Sequence, residues 1–411
     1  MNTLKLLAML AGIMLLSGAS CNKETVSIDK DDNPRVPLEL STKSAEFAKA
    51  GDGFSFEFIE RVNSSTDDDY VVSPLSMQFL LGMVLDGAKG ETADQICAVL
   101  GYGKGETAAV NEYCLSMLTQ LPLLDKKTTL SLADAIFVDN GWPLKDSYIA
   151  DVVKYYDAAV SNLDFHDNDA SLAAINGWCD KHTNGLIPKV LDNVDPDMLA
   201  YLLNALYFKS SWMFDFQKTM TREEVFTSES GAKGKAKMMK HEATHPYAAN
   251  EIYQALTLPY GNGAFAMTVL LPMPGHKVAD VIASLKVNGL PKMHSTLADV
   301  WLPKFETKFS IRLNDILSDM GMPMAFDGKS ADFTGMSLYA LCLSFVQQDA
   351  IIKVDEEGTE AAAISSAGIA KNTSVGSDPV PIVFHADHPF LYLITETTTG
   401  ITLFAGRYSG K

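Results

Sequence analysis

The chain has 411 residues, of which 47% are hydrophobic and 20% charged, so it carries ample material for a globular core. Thirty-three Lys and Arg against 51 Asp and Glu give a formal net charge of −18, which speaks against a nucleic-acid binder, whose footprint is a basic patch. Five cysteines are too few for a disulfide scaffold, and 28 Gly with 17 Pro are too few for a fibrous or disordered chain.

Residues 1–20 read as an export signal: Lys5 is cationic, 6–16 form an apolar run, and Gly18, Ala19 and Ser20 are small residues ahead of a cleavage point. The run is shorter than the about 20 residues a membrane-spanning helix needs. Leu16-Ser17-Gly18-Ala19-Ser20-Cys21 resembles a bacterial lipobox, which implies that Cys21 becomes the lipidated first residue of the mature chain. An ordinary signal-peptidase site beside a chance cysteine is the alternative. Asn22, where Asp would signal retention, implies sorting to the outer membrane, with the protein surface-exposed or released outside the cell. Removing Lys5 with the signal takes the charge from −18 to −19. Residues 21–41, with Asp29, Asp31, Asp32, Pro34 and Pro37, read as a flexible tether, and 42–411 as one α+β domain.

The first half of that domain is mostly helical. Phe47, Phe54, Phe56, Phe58 and Ile59 mark an apolar face over 44–62, and Ser73-Pro74 supplies the cap and first turn of a helix through 86. Further helices are expected over 92–100, 107–121, 146–155 and 171–182. The apolar runs 130–138 and 198–208 are too continuous for surface strands and predict central strands of a covered sheet. Strands are also expected over 255–258, 265–271, 300–305, 341–354, 383–384, 390–395 and 401–407. Cys97, Cys114, Cys179 and Cys342 match no metal-binding spacing and read as isolated buried thiols, with one disulfide as the alternative.

His241-Glu242-Ala243-Thr244-His245 satisfies H-E-x-x-H, but a zinc peptidase needs that motif on a helix, and Pro246 with Gly231 and Gly234 denies it one. In a strand the two His would point the same way about 13 Å apart, so no metal is expected. Residues 358–378 are small or polar except Ile364, Ile369 and Val375, yet they lie between two apolar strand candidates; so long a structureless loop inside a domain is usually functional or disordered. From Thr359 every second residue is small or apolar: Thr359, Ala361, Ala363, Ser365, Ala367, Ile369. That alternation suits a strand buried on one face, while a low-complexity surface linker would have the same composition.

Together the motifs resemble the serpins. Glu356-Glu357-Gly358-Thr359-Glu360-Ala361-Ala362-Ala363 is similar to the proximal hinge of an inhibitory serpin's reactive-centre loop, here about 356–381. Phe384-His385-Ala386-Asp387-His388-Pro389-Phe390-Leu391-Tyr392-Leu393-Ile394 resembles the family's C-terminal signature, and similar blocks include Val72-Ser73-Pro74-Leu75-Ser76, Asn204-Ala205-Leu206-Tyr207-Phe208-Lys209-Ser210-Ser211-Trp212 and Leu302-Pro303-Lys304-Phe305. The resemblance covers about 42–408. It implies three β-sheets with eight or nine helices, no enzymatic activity, no cofactor, a monomer, and a loop that serves as bait for a protease. Cleavage forms an acyl-enzyme, and the freed hinge inserts into the largest sheet.

By the same resemblance Thr359 enters first, then Ala361 and Ala363; Glu356 and Lys304 form an ion pair near Trp212; Ser73, Ser76 and Asn204 form a polar cluster where the sheet parts. Gln348 stands where the family usually has His, so a titration inferred from that His does not carry over. Family spacing from Gly358 puts the scissile bond after Asn372, before Thr373, or one residue earlier after Lys371; counting back from Pro389 lands near Asp378, because the loop is about six residues longer than in common members. Lys371 suits a trypsin-like serine protease, and Ile369 or Ala370 an elastase-like or papain-like enzyme. A non-inhibitory serpin acting as a carrier is the alternative, against which the small-residue hinge argues.

Overall fold

Helix starts follow the caps the sequence offers. In the computed structural model, which describes residues 32–359 and 380–411, Ser41 accepts the Ser44 amide to open α1 (Thr42–Ser65), which buries Phe47, Phe54, Phe58, Ile59 and Val62 along one face. Ser73 accepts the Ser76 amide and Pro74 fills the first turn of α2 (Pro74–Gly87), a helix buried almost all round. After them come α3 (Gly90–Leu100), α4 (Thr107–Gln120), α5 (Asp146–Tyr156), α6 (Asn168–His182), α7 (Val278–Asn288) and α8 (Asn314–Met320). Among the described residues no helix is long and apolar enough to cross a membrane.

The strands are β1 (Tyr70–Val72), β2 (Thr129–Asp139), β3 (Ala159–Leu163), β4 (Ala200–Ser211), β5 (Arg222–Thr227), β6 (Lys233–Ala249), β7 (Tyr253–Pro259), β8 (Phe265–Pro272), β9 (His294–Pro303), β10 (Phe305–Arg312), β11 (Gln347–Asp355), β12 (Gly358–Thr359), β13 (Ile382–His385), β14 (Phe390–Glu396) and β15 (Thr402–Tyr408). They form a six-stranded sheet, β10-β11-β12-β4-β2-β3, and a nine-stranded network, β1-β15-β14-β8-β7-β6-β9-β13, with β5 on β6. Among the described residues the strands join in two hydrogen-bonded networks, the 17-residue β6 serving both halves of the larger one. One apolar cluster joins α1, α2, β8, β14 and β15, and a smaller one, with Ala135, Phe137, Phe165, Ile175 and Leu203, lies under α6.

Several bounds differ from those expected. The strand expected over 341–354 begins only at Gln347, because the preceding backbone is engaged elsewhere: Leu343 donates to the Ala325 carbonyl, and the Ser344 carbonyl accepts from Asn314 and Arg312. Residues 33–41, read as tether, lie on the compact unit 33–411: Leu38 is buried, and Asn33 donates to Asp125 at 2.7 Å. Cys342 is half-exposed, while Cys97, Cys114 and Cys179 are buried free thiols. The export signal, Cys21 and the rest of the tether lie outside the described residues.

In the six-stranded sheet Asp134 on β2 faces Asn204 on β4, and Asn204 Nδ2 donates to its Oδ1 at 2.8 Å. The other carboxyl oxygen is buried without a partner. Burial pushes the Asp134 carboxyl up to about 7, with Asn204 working against the shift and Asp157 adding to it. A carboxyl whose folded pKa lies above its unfolded one adds stability that is complete below about pH 4 and lost as pH rises through 7. Thermal unfolding between pH 5 and 8 should therefore show the wild-type melting temperature falling relative to Asp134→Asn, with the variant the more stable at pH 8. Parallel curves would contradict the assignment.

Candidate functional site

The top of the six-stranded sheet is where β11 turns back on itself. After Asp355 the chain reverses through Glu356 and Glu357 and re-enters the sheet as β12, antiparallel to β11 through Val354↔Thr359 and Asp355↔Gly358. Its other edge pairs antiparallel with β4 through Gly358↔Ser211 and Thr359↔Ser210. Among the described residues β11 and β4 meet in the ladder only through these two residues. Gly358 has φ +152°, and a Cβ there would lie 2.1 Å from the Ser210 carbonyl oxygen, so the position takes no side chain.

Thr359 is 2% exposed, and its hydroxyl shares a 2.6 Å hydrogen bond with the Tyr260 hydroxyl. Tyr260 stacks on Trp212 with centroids 4.4 Å apart and meets Phe208 edge-on. Tyr260 is not legible in the sequence as a site residue; Pro259-Tyr260-Gly261 reads as an ordinary strand end, and only the fold brings it under Thr359.

The segment 212–216, which follows β4, clamps the turn. The Trp212 indole donates to the Asp355 carbonyl at 2.9 Å, its backbone amide to Glu357 at 2.9 Å, and the Phe216 amide to Glu356 at 3.0 Å. Glu356, 5% exposed, accepts from Lys304 and from the Thr221 hydroxyl, each at 2.8 Å. Burial pushes the Glu356 carboxyl up, but the Lys304 ammonium and the hydrogen bonds outweigh it and hold it below the usual range. Glu357 pairs with Lys218.

Lower in the molecule, the amide side chain of Gln348 brackets the Ser73 backbone, accepting from its N–H at 2.9 Å and donating to its carbonyl at 3.0 Å. The Ser73 hydroxyl donates to the Leu403 carbonyl at 2.7 Å and caps Ser76 at 3.1 Å. The structure thus joins β11 to α2 and β15 through Ser73, Ser76 and Gln348. Asn204 does not hydrogen-bond to this group; its partner is Asp134, which sequence reasoning missed, although an acid inside the apolar run 130–138 was a signal.

At its far end the loop returns as β13, parallel to β9 from Ile382↔Ala298 to His385↔Trp301. Glu360, Ala361, Ala362, Ala363 and the scissile candidates Lys371, Asn372 and Thr373 lie outside the described residues.

The H-E-x-x-H stretch lies on β6, as the helix-breaking neighbours required, but the 13 Å separation does not hold for the rings. They tilt toward each other along the strand, so that the Nε2 atoms of His241 and His245 are 3.0 Å apart. Among the described residues no third His, Cys, Asp or Glu ligand atom joins them; a group of three such residues occurs at Asp139, Asp164 and His166 instead. There Asp139 is occupied by the amides of Gly141 and Phe165.

Residues 49–410 match the family model described as serpin, serine protease inhibitor. An uncharacterized serpin-like protein of Thermococcus kodakarensis is 32% identical over 86% of this chain and 83% of its own length. Human Serpin B3 is 32% identical over 88% of this chain and 98% of its own. Among solved structures, Serpin48 of the insect Tenebrio molitor superposes with a TM-score of 0.81 at 26% identity, covering 90% of this chain and all of that one. The native state of the thermophilic serpin tengpin gives 0.79 at 26% identity, over 92% and 97%. The chain belongs to the serpin family, whose members are in general protease inhibitors rather than enzymes.

Replacing Lys304 by Met would leave Glu356 buried without its cation. The expected loss is about 1–3 kcal/mol, reduced from the value of a fully buried pair because Lys304 is 38% exposed and water screens it. Because the folded pKa of Glu356 is depressed, the gap between wild type and variant should be full at neutral pH and close as the carboxyl protonates below about pH 4.5. Denaturant titrations at pH 7 and pH 4 measure it, and equal gaps at both would contradict the role of this ion pair.

Proposed function

We propose that the protein is an inhibitory serpin, a suicide substrate whose loop is cut after Lys371 or Asn372. The reading rests on one observation: Gly358 and Thr359 already pair with β11 on one side and β4 on the other, at the start of the line along which further residues would insert. The side chain of Thr359 points to Tyr260 in the interior, and in an extended strand Ala361 and Ala363 follow on that same face, where methyl groups fit without displacing the core. The serine Oγ of the target protease attacks the scissile carbonyl carbon, the peptide C–N bond breaks with the new amine leaving protonated on the C-terminal side, and the hinge side stays joined to the enzyme as an ester. The hinge then enters between β11 and β4 and carries the bound enzyme away before water can release it. A chain of about fifteen extended residues spans about 50 Å at roughly 3.3 Å each. A dozen new ladder hydrogen bonds at about 1 kcal/mol each supply on the order of 10 kcal/mol. Trypsin-like enzymes are the first expected targets, with elastase-like and papain-like enzymes next.

The carrier reading has a structural relative in its favour: thyroxine-binding globulin in complex with thyroxine shares the fold, with a TM-score of 0.78 at 23% identity. The run of small hinge residues weighs for inhibition, since a carrier has no need of a strand that can be buried. As a mature lipoprotein anchored through Cys21, the protein would act as a monomer at the outer surface of the envelope or after release, shielding it from proteases. Acyl chains contribute roughly 0.8 kcal/mol per buried CH₂, so two or more anchor firmly.

Mixing the purified protein with trypsin and with an elastase should give an SDS-resistant adduct and loss of protease activity. Thr359→Arg should be cut at the same bond but release active enzyme, because an unpaired charge would have to be buried beside Tyr260. Cleavage without adduct across serine and cysteine proteases, or unchanged inhibition by Thr359→Arg, would refute the reading.

A further inference from the structure

The paired histidines of β6 lie directly against the clamp. The Phe216 ring stacks on His241 at 4.1 Å with 1° between the planes, and Phe214 meets His245 edge-on at 5.8 Å. Phe216 is the residue whose amide holds the Glu356 carbonyl, so the imidazoles support one side of the segment that fixes the hinge. The Nε2···Nε2 contact at 3.0 Å needs one N–H and one lone pair. It is satisfied when the pair shares a single Nε2 proton between two neutral rings. When both rings are cations the contact becomes N–H against N–H, with two positive charges side by side.

We propose that His241 and His245 form a proton-operated support for the hinge clamp: sharing one proton they hold Phe214 and Phe216 in place, and when each ring carries its own charge the clamp loosens and the hinge gains freedom to enter the sheet. Few groups oppose this. Asp299 on β9 is the acid that favours the charged form of His241, and it is engaged by Lys240 at 3.1 Å. In the clamp, Asp215 and Phe214 present backbone carbonyls to His241, and the Asp215 carboxyl is itself pushed up by burial. From β7 the Thr257 carbonyl faces His245, and Glu242 on β6 is exposed. Burial pushes both rings down to about 4, with His241 adding to the shift of His245. In any state that exposes them they would titrate near the ordinary value of about 6.5. The opened state therefore binds up to two more protons between about pH 6.5 and 4, and acid favours it throughout that window.

The consequence for inhibition rests on the serpin reading above, but the test needs no protease and stands apart from adduct formation. The intact full-length protein is held at a fixed temperature below its melting point, and its conversion is followed by tryptophan fluorescence from pH 7.5 to 4.5. The logarithm of the wild-type rate should climb as pH falls below about 6.5. His241→Gln and His245→Gln, which keep a hydrogen-bonding side chain without titrating, should each lower that slope by about one decade per pH unit, and the double variant by about two. Other acids titrate in every variant, so the differences in slope are the readout. Should one single variant fail to fold at pH 7.5, the other decides. A surviving variant with the wild-type slope would overturn the proposal.

Discussion

Gly358 and Thr359 hydrogen-bond to β11 on one side and to β4 on the other, and the rest of the architecture is arranged around that two-residue ladder. A short strand between two longer ones is an unfinished zipper: each further residue would add ladder bonds worth about 1 kcal/mol apiece at little extra ordering of the sheet. What keeps the position of the first two residues is local and specific. Gly358 passes so close to Ser210 that no side chain fits, Thr359 is held by Tyr260, and the turn at Glu356 is fixed by Lys304, Thr221 and the amides of 212–216. In the function proposed, these contacts set where insertion begins, and the state they hold is maintained by a barrier and not by being the lowest in energy.

The loop's two ends are anchored in different sheets. Thr359 belongs to the six-stranded sheet, and Ile382 to the nine-stranded network through β9. As long as the chain is continuous, residues 360–379 must join those anchors, and each residue added to β12 shortens what remains. A cut within the loop removes that constraint from the hinge side without disturbing β13. In the function proposed, specificity for a protease and the energy of trapping it would thus reside in separate parts of the same segment.

Much of this architecture is legible in the order of the amino acids. The continuous apolar runs around Ile136 and Tyr201 form the neighbouring strands β2 and β4, with β2 buried on both faces from Ala133 onward, and Ser73-Pro74 opens α2 as its cap chemistry requires. The hinge motif points to the ion pair of Glu356 with Lys304, residues 52 apart in the chain. Other features are hidden for physical reasons. β6 is mostly exposed or half-buried and rich in Lys, so it carries no apolar run, and α7 follows a Pro- and Gly-containing turn that masks its start. Tyr260 and Asp134 gain their roles from partners distant in sequence, Thr359 and Asn204, which periodicity does not reveal. Pro246 and the nearby glycines rightly keep the two His of H-E-x-x-H off a helix, but side-chain tilt along the strand brings together rings that backbone spacing alone puts far apart.

The energy stored in the intact form is measured most directly by differential scanning calorimetry of the protein before and after a single cut in the loop. If β12 extends into the six-stranded sheet on cleavage, the nicked form should unfold at a temperature higher than the intact form by roughly 10–15 °C, as about 10 kcal/mol of added ladder energy requires for a domain of this size. A nicked form that unfolds at or below the temperature of the intact one would contradict it.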